Sequence, residues 1–140
     1  MIVTDGYDMA DWLSKQLKTV SFDDSTKYIG LVRDEKLVAV CGYSNYEKKS
    51  ISQHIAAIGN LNYEFLHFIF YYPFIQLGVK KIIGPIKSNN HKCLKFAKKL
   101  GFKHEATISE VYEDADLFIL TMEKKDCKML LLGDPSNNLT

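Results

Sequence analysis

The run VKKIIGPIKSNNHKCLKFAKKLGF, residues 79–102, constrains the fold more than any other stretch. Ile82, Ile83 and Ile86 are the apolar residues of a buried strand. Ser88, Asn89 and Asn90 follow, and their side-chain oxygens can accept from the free N–H groups at a helix start. At 3.6 residues per turn, Cys93, Leu94, Phe96, Ala97 and Leu100 share one arc of the helix, and Lys92, Lys95, Lys98 and Lys99 share the other. Gly101 can take φ > 0 and stop the helix, and Phe102 turns back toward the core. A strand feeding a loop and an amphipathic helix in this way requires a sheet with a helix laid on it.

At 140 residues the chain has the size of one domain with a substantial core. We expect residues 1–132 to form it and residues 133–140 to be a frayed tail. Lys and Arg number 18 against 17 Asp and Glu, so no global charge draws the chain to nucleic acid or to an anionic membrane. The clusters Lys80-Lys81 and Lys92–Lys99 permit a nucleic-acid-linked role without arguing for one. Cys41, Cys93 and Cys127 are scattered, odd in number and without a CxxC, which reads as free thiols in a reducing cytosol. No metal-ligand spacing involves His54, His67, His91 or His104, and no signal peptide is expected.

Residues 1–4 are a short β-prone start, and residues 8–17 carry helical spacing in Met9, Trp12, Leu13 and Leu17. Residues 28–32 and 37–43 read as a hairpin with a charged tip, and residues 50–58 as a third meander strand. Residues 61–77 are apolar nearly all round. The run is shorter than the roughly 20 residues a bilayer needs and includes Glu64, His67, Pro73 and Gln76, so it reads as a helix buried between layers. Pro73 should kink it and Gly78 stop it. Residues 104–112 and 116–123 read as two closing strands. Leu130, Leu131 and Leu132 are expected to cover a sheet edge or to meet a partner chain, as in a homodimer.

Asn90, Cys93, Phe96, Leu100, Gly101 and Phe102 resemble the N-x-x-A…L-G-F signature of the GNAT superfamily of acyl-CoA-dependent N-acyltransferases, with Cys93 in place of the small alanine. Glu105 and residues 116–122 resemble that family's closing hairpin. The compact size resembles members encoded by bacteriophages. The resemblance implies an α+β fold: a mixed sheet with an antiparallel meander, a splayed parallel pair and a C-terminal hairpin, with helices on both faces. It also implies acetyl-CoA as co-substrate and an amine as acceptor.

The junction Ile58-Gly59-Asn60-Leu61-Asn62 precedes a helix, whose free N–H groups and dipole make an anion site. By the resemblance a CoA pyrophosphate would lie there, although this loop lacks the family's basic residue and paired glycines. Equally it reads as a plain capped helix. Pro85 cannot donate to a ladder. It marks either the slot between parted strands that the resemblance implies, walled opposite by Ala56, Ala57 and Ile58, or a bulge. Asn90 would face the pantetheine arm and also fits an N-cap. Lys92 and Lys95 could reach phosphates or simply be solvated.

Acyl transfer from a thioester needs a neutral amine, a route for its proton and an acid for the thiolate. The family's usual tyrosine acid is replaced by Ala97, leaving Tyr112 and Tyr72 as substitutes. His54, with Ser52 two residues before it on the same strand face, is the expected base, or else a structural hydrogen-bonder; Glu110 on the penultimate strand is second choice. Cys41 has no His or Asp paired with it in sequence and reads as core. Two readings follow: an N-acetyltransferase working by direct attack, and a GNAT-like structural or interaction protein without acyl chemistry.

Overall fold

Among the described residues seven strands, numbered β1 to β7 in chain order and given their ranges below, form one sheet in the order β1-β2-β3-β4-β5-β7-β6. The computed structural model describes residues 1–19 and 22–133. Most of the tail expected from the sequence, residues 134–140, lies outside the described residues. β1 (Ile2–Val3) is followed by α1 (Met9–Leu17), then by the meander β2 (Lys27–Arg33), β3 (Lys36–Ser44) and β4 (Ser50–Ala57). α2 (Tyr63–Tyr71) crosses over to β5 (Lys81–Lys87), and α3 (His91–Leu100) leads to the hairpin of β6 (Lys103–Ile108) and β7 (Leu117–Glu123). A short helix, α4 (Lys128–Leu131), closes the described chain. β4 and β5 run parallel, and every other neighbouring pair is antiparallel. This is the α+β architecture that the sequence implies.

Side-chain alternation divides the sheet cleanly. Val40 packs with Met9 and Leu13 of α1 on one face. Cys41, Tyr43, Ile51, Ile82 and Leu120 meet Phe65, Ile69 and Phe70 of α2, and Leu94, Ala97 and Leu100 of α3, on the other. Full burial of one such side chain contributes about 1.5–3 kcal/mol. The two glycines of the meander face α1 because a side chain there would collide: a Cβ on Gly42 would lie 2.9 Å from Leu13, and one on Gly30 2.8 Å from Met9.

α2 does not run unbroken to Leu77. It gives way after Tyr71 to a π-helical turn, Tyr72–Gln76. Pro73 has no N–H to offer the carbonyl of Ile69, four residues before it. That carbonyl accepts the hydroxyl of Tyr43 and, at 3.1 Å, Nε2 of Gln53. Two polar side chains are therefore drawn into the core to satisfy one backbone group that the proline leaves unserved.

α3 follows the sequence closely. Asn90 Oδ1 accepts from the Cys93 N–H at 3.2 Å, and Gly101 caps the far end at φ 119°. A Cβ at Gly101 would lie 2.1 Å from the Asp126 carbonyl oxygen, so both conformation and packing demand glycine there. The expected strand over residues 104–112 is shorter. β6 ends at Ile108, which pairs with Leu117, the first residue of β7, so residues 109–112 have no ladder opposite them. Every residue of β6 is exposed, as befits the outermost strand. The C-terminal leucines do not cover a sheet edge: α4 packs against α2, with the Tyr63 hydroxyl bonded to the Met129 carbonyl, while Leu131 and Leu132 are 69% and 62% exposed. No helix among the described residues is long and apolar enough to cross a membrane.

Candidate active site between parted strands

β4 and β5 pair only at Ser50–Lys81, Ile51–Ile82 and Ser52–Ile83. Beyond that point both strands continue without pairing to each other. β4 keeps its partner β3, and β5 keeps β7 through Lys87. Ile58 and Pro85 are not joined; the Ile58 N–H instead donates to Val38 at 2.8 Å. The result is a wedge-shaped opening through the middle of the sheet.

Two cavities meet at this opening. The smaller, about 140 Å³, is walled by Gln53, His54 and Ile55 of β4 and by 84–87 of β5. It has Leu17, Thr19 and Phe22 toward α1 and Cys93, Phe96, Ala97 and Phe102 toward α3. It therefore passes from one face of the sheet to the other. The larger, about 560 Å³, runs outward along Ala56, Ala57, Gly59, Asn60 and Leu61 on one side and Asn90, Lys92, Cys93, Lys95, Phe96 and Lys99 on the other. Leu17, Ile55, Asn90, Cys93 and Phe96 line both, so the groove and the wedge are continuous. A groove of this size suits an extended ligand, with a reacting end in the wedge.

The expected cofactor-binding residues divide. Ala57, Gly59, Asn60, Asn90, Lys92, Cys93 and Lys95 line the groove. Ile58 and Asn62 are not among its walls. Ile58 is 49% exposed, and the Asn62 side chain is engaged in capping α2, accepting from Phe65 N–H at 2.7 Å. Gly59 is left-handed at φ 88°, and the space where its Cβ would stand is open. Arg33, at the end of β2, donates to the Asn60 carbonyl at 2.5 Å and so brings a guanidinium to a loop that has no cation of its own.

Of the expected catalytic residues, His54 and Tyr112 line the wedge and Glu110 does not. Glu110 lies in the β6–β7 loop at φ 60°, not on a strand. His54 stands opposite Gly42 and so on the α1 face. Its Nε2 is 3.1 Å from Ser44 Oγ, and its ring lies 4.9 Å from that of Phe22. The serine in contact is thus across the strand pair rather than Ser52. Burial pushes the imidazole down to about 4, so His54 is neutral at pH 7 and a weak proton acceptor. Tyr112 lies beneath Lys87, whose Nζ is 4.6 Å from the ring centroid and 3.3 Å from the Lys18 carbonyl. Tyr72 packs in the core against Tyr43 and lines neither cavity. Cys41 is fully buried and its thiol is pushed up to about 12 by desolvation, which makes it inert. All three cysteines are free.

Sequence reasoning missed Thr19, Phe22, Lys87 and Lys99. The last two were within reach. Lys87 shares a face with Pro85 by simple alternation, and Lys99 follows Lys92 and Lys95 at helical spacing. Thr19 and Phe22 come from a connector with no periodicity to mark it.

No known family model matches the chain. Acetyltransferase PseH of Campylobacter jejuni is 29% identical over 117 residues, spanning 81% of this chain and 71% of that protein. The crystal structure of the same Campylobacter N-acetyltransferase with acetyl coenzyme A has a TM-score of 0.58 at 24% identity, covering 73% of this chain and 70% of that one. The chain has the GNAT fold of these N-acetyltransferases. A GNAT fold with much lower identity agrees over a longer span: a chimera of the spermidine N-acetyltransferase SpeG from Vibrio cholerae has a TM-score of 0.70 at 11% identity, covering 89% and 96% of the two chains. The signature read from Asn90 to Phe102 is therefore a sound guide to the GNAT architecture.

Proposed function

We propose that this protein is an N-acetyltransferase that moves an acetyl group from acetyl-CoA to a primary amine by direct attack. The observation that carries the reading is the parting of β4 and β5 after Ser52–Ile83, with a groove entering on the α3 side and a chamber open toward α1. The pantetheine arm would lie against the unpaired edge of β4, bringing the thioester to the wedge. PseH, whose crystal structure holds acetyl coenzyme A, supports the same co-substrate here. The acceptor would enter from the α1 side, past Phe22. Its free electron pair attacks the thioester carbonyl, the C–N bond forms, the C–S bond breaks, and the amine proton leaves as the thiolate is released.

In this reading His54, neutral through burial, would be a hydrogen-bonding group for the attacking amine rather than a strong base, and Tyr112, which lines the same wedge, would serve the departing thiolate. The three free cysteines fit a reducing cytoplasm. The test has two stages. Acetyl-CoA should raise the melting temperature, because a ligand bound only by the folded state stabilises it. An amine screen followed by thiol release should then find turnover that falls by 10-fold or more in Tyr112→Phe. No thermal shift at millimolar acetyl-CoA would end the proposal.

A second reading has its own observation. Ala97 is buried against the core where the resemblance places a tyrosine acid, so the family's usual donor is absent. A GNAT-like binding protein would show the thermal shift with no thiol release for any amine.

A further inference from the structure

Resting on the acetyl-CoA reading, we infer that the nucleotide end of the cofactor is held by charge from α3, and that Lys92, Lys95 and Lys99 together select coenzyme A bearing its 3′-phosphate over the dephosphorylated form. The loop that opens the groove, Ile58-Gly59-Asn60-Leu61-Asn62, contains no cation. Its donors are partly spent: the Ile58 N–H goes to Val38, and Asn62 Oδ1 occupies the Phe65 N–H at the start of α2. Arg33 brings one guanidinium to the Asn60 carbonyl, and the cluster of positive charge is on the opposite wall. Lys92, Lys95 and Lys99 all line the groove, and all three are exposed.

α3 has no acidic residue in its sequence HKCLKFAKKL. None of these three lysines has a carboxylate within ion-pair distance among the described residues. Between Lys92 and Lys99 the helix rises about 10 Å, at about 1.5 Å per residue. That span matches an extended polyanion better than a single phosphate. Three like charges on one wall favour a multiply charged ligand, and each phosphate removed should weaken the hold. Lys98 lies on the same helix, is equally exposed and is absent from the groove, so it is a built-in control.

The test is calorimetric titration with coenzyme A and with 3′-dephospho-coenzyme A. The wild-type protein should bind coenzyme A at least 10-fold more tightly than the dephospho form, and more so at low salt. Lys99→Met should cut that preference several-fold, and the triple change Lys92→Met, Lys95→Met and Lys99→Met should abolish it. Lys98→Met should leave both affinities as they are. Equal binding of the two ligands by the wild-type protein would overturn the inference and leave the acetyl-CoA reading standing. So would a preference that survives the triple change, or one lost equally in Lys98→Met. Failure of both ligands to bind would sink the acetyl-CoA reading itself, and this inference with it.

Discussion

β4 and β5 behave in opposite ways along their length. From Ser50 to Ser52 the two strands are hydrogen-bonded over Ile51 and Ile82, both buried, and the Lys80 and Lys81 N–H groups tie back to the Lys49 carbonyl. From Gln53 onward they part, and the space between them is filled from the sides by α3, with Cys93 and Ala97 as its small residues. The closed end is ordinary sheet, stabilised by apolar burial and a ladder. The open end keeps some burial, at Ile86, but has no ladder between the two strands. Stability and binding have thus been assigned to different ends of one strand pair.

The comparison can be broken most forcefully at α3, which holds the open end. Gly101→Ala places a Cβ in a left-handed backbone and against the Asp126 carbonyl, and should destabilise the fold by about 3–5 kcal/mol in urea unfolding. A change under about 1 kcal/mol would mean that α3 and the turn after β7 can shift without cost.

Acid should act next, again on the open side. His54 titrates near 4 when folded and at the ordinary 6.5 when unfolded. The unfolded chain therefore binds the proton first. Stability conferred by the neutral form is complete above about 6.5 and is lost as pH falls toward 4, by about 3 kcal/mol in all. His54→Gln should flatten the fall between pH 6.5 and 4, as measured by unfolding free energy against pH.

Filling the gap sharpens the contrast further. Cys93 lines both cavities, and Cys93→Phe should weaken acetyl-CoA binding at least 10-fold, about 1.4 kcal/mol, while the closed end keeps the protein folded. Unchanged affinity would place the cofactor outside the wedge. The smallest effect is expected at the closed end. The Lys81–Glu105 pair, 3.4 Å apart, is solvated, so Glu105→Ala should alter stability by no more than about 0.5 kcal/mol.

What the sequence made legible was local. Asn90 as cap, Gly101 as stop and the apolar arc between them are set within a few turns of chain, and the structure reproduces them. The parting of the strands was implied by the family resemblance, while Pro85 by itself left a slot and a bulge equally open, and the ladder does end before it. The end of β6 was misplaced because residues 109–112 look strand-like in isolation, and only the starting point of β7 decides whether they have a partner. Arg33 reaching Asn60, the tilted contact of Phe22 with His54 and the π-helical turn after Tyr71 depend on residues distant in sequence, and no periodicity announces such meetings.

The Ile69 carbonyl, left without its usual donor by Pro73, has a consequence for the opening itself. Gln53, which reaches that carbonyl, is the first residue of β4 beyond the ladder. Sliding β4 by one position would present Ser52 or His54 to the helix and leave the carbonyl with the Tyr43 hydroxyl alone. One helix carbonyl is thereby met from two neighbouring strands, and the second of its donors sits at the residue where the sheet comes unzipped.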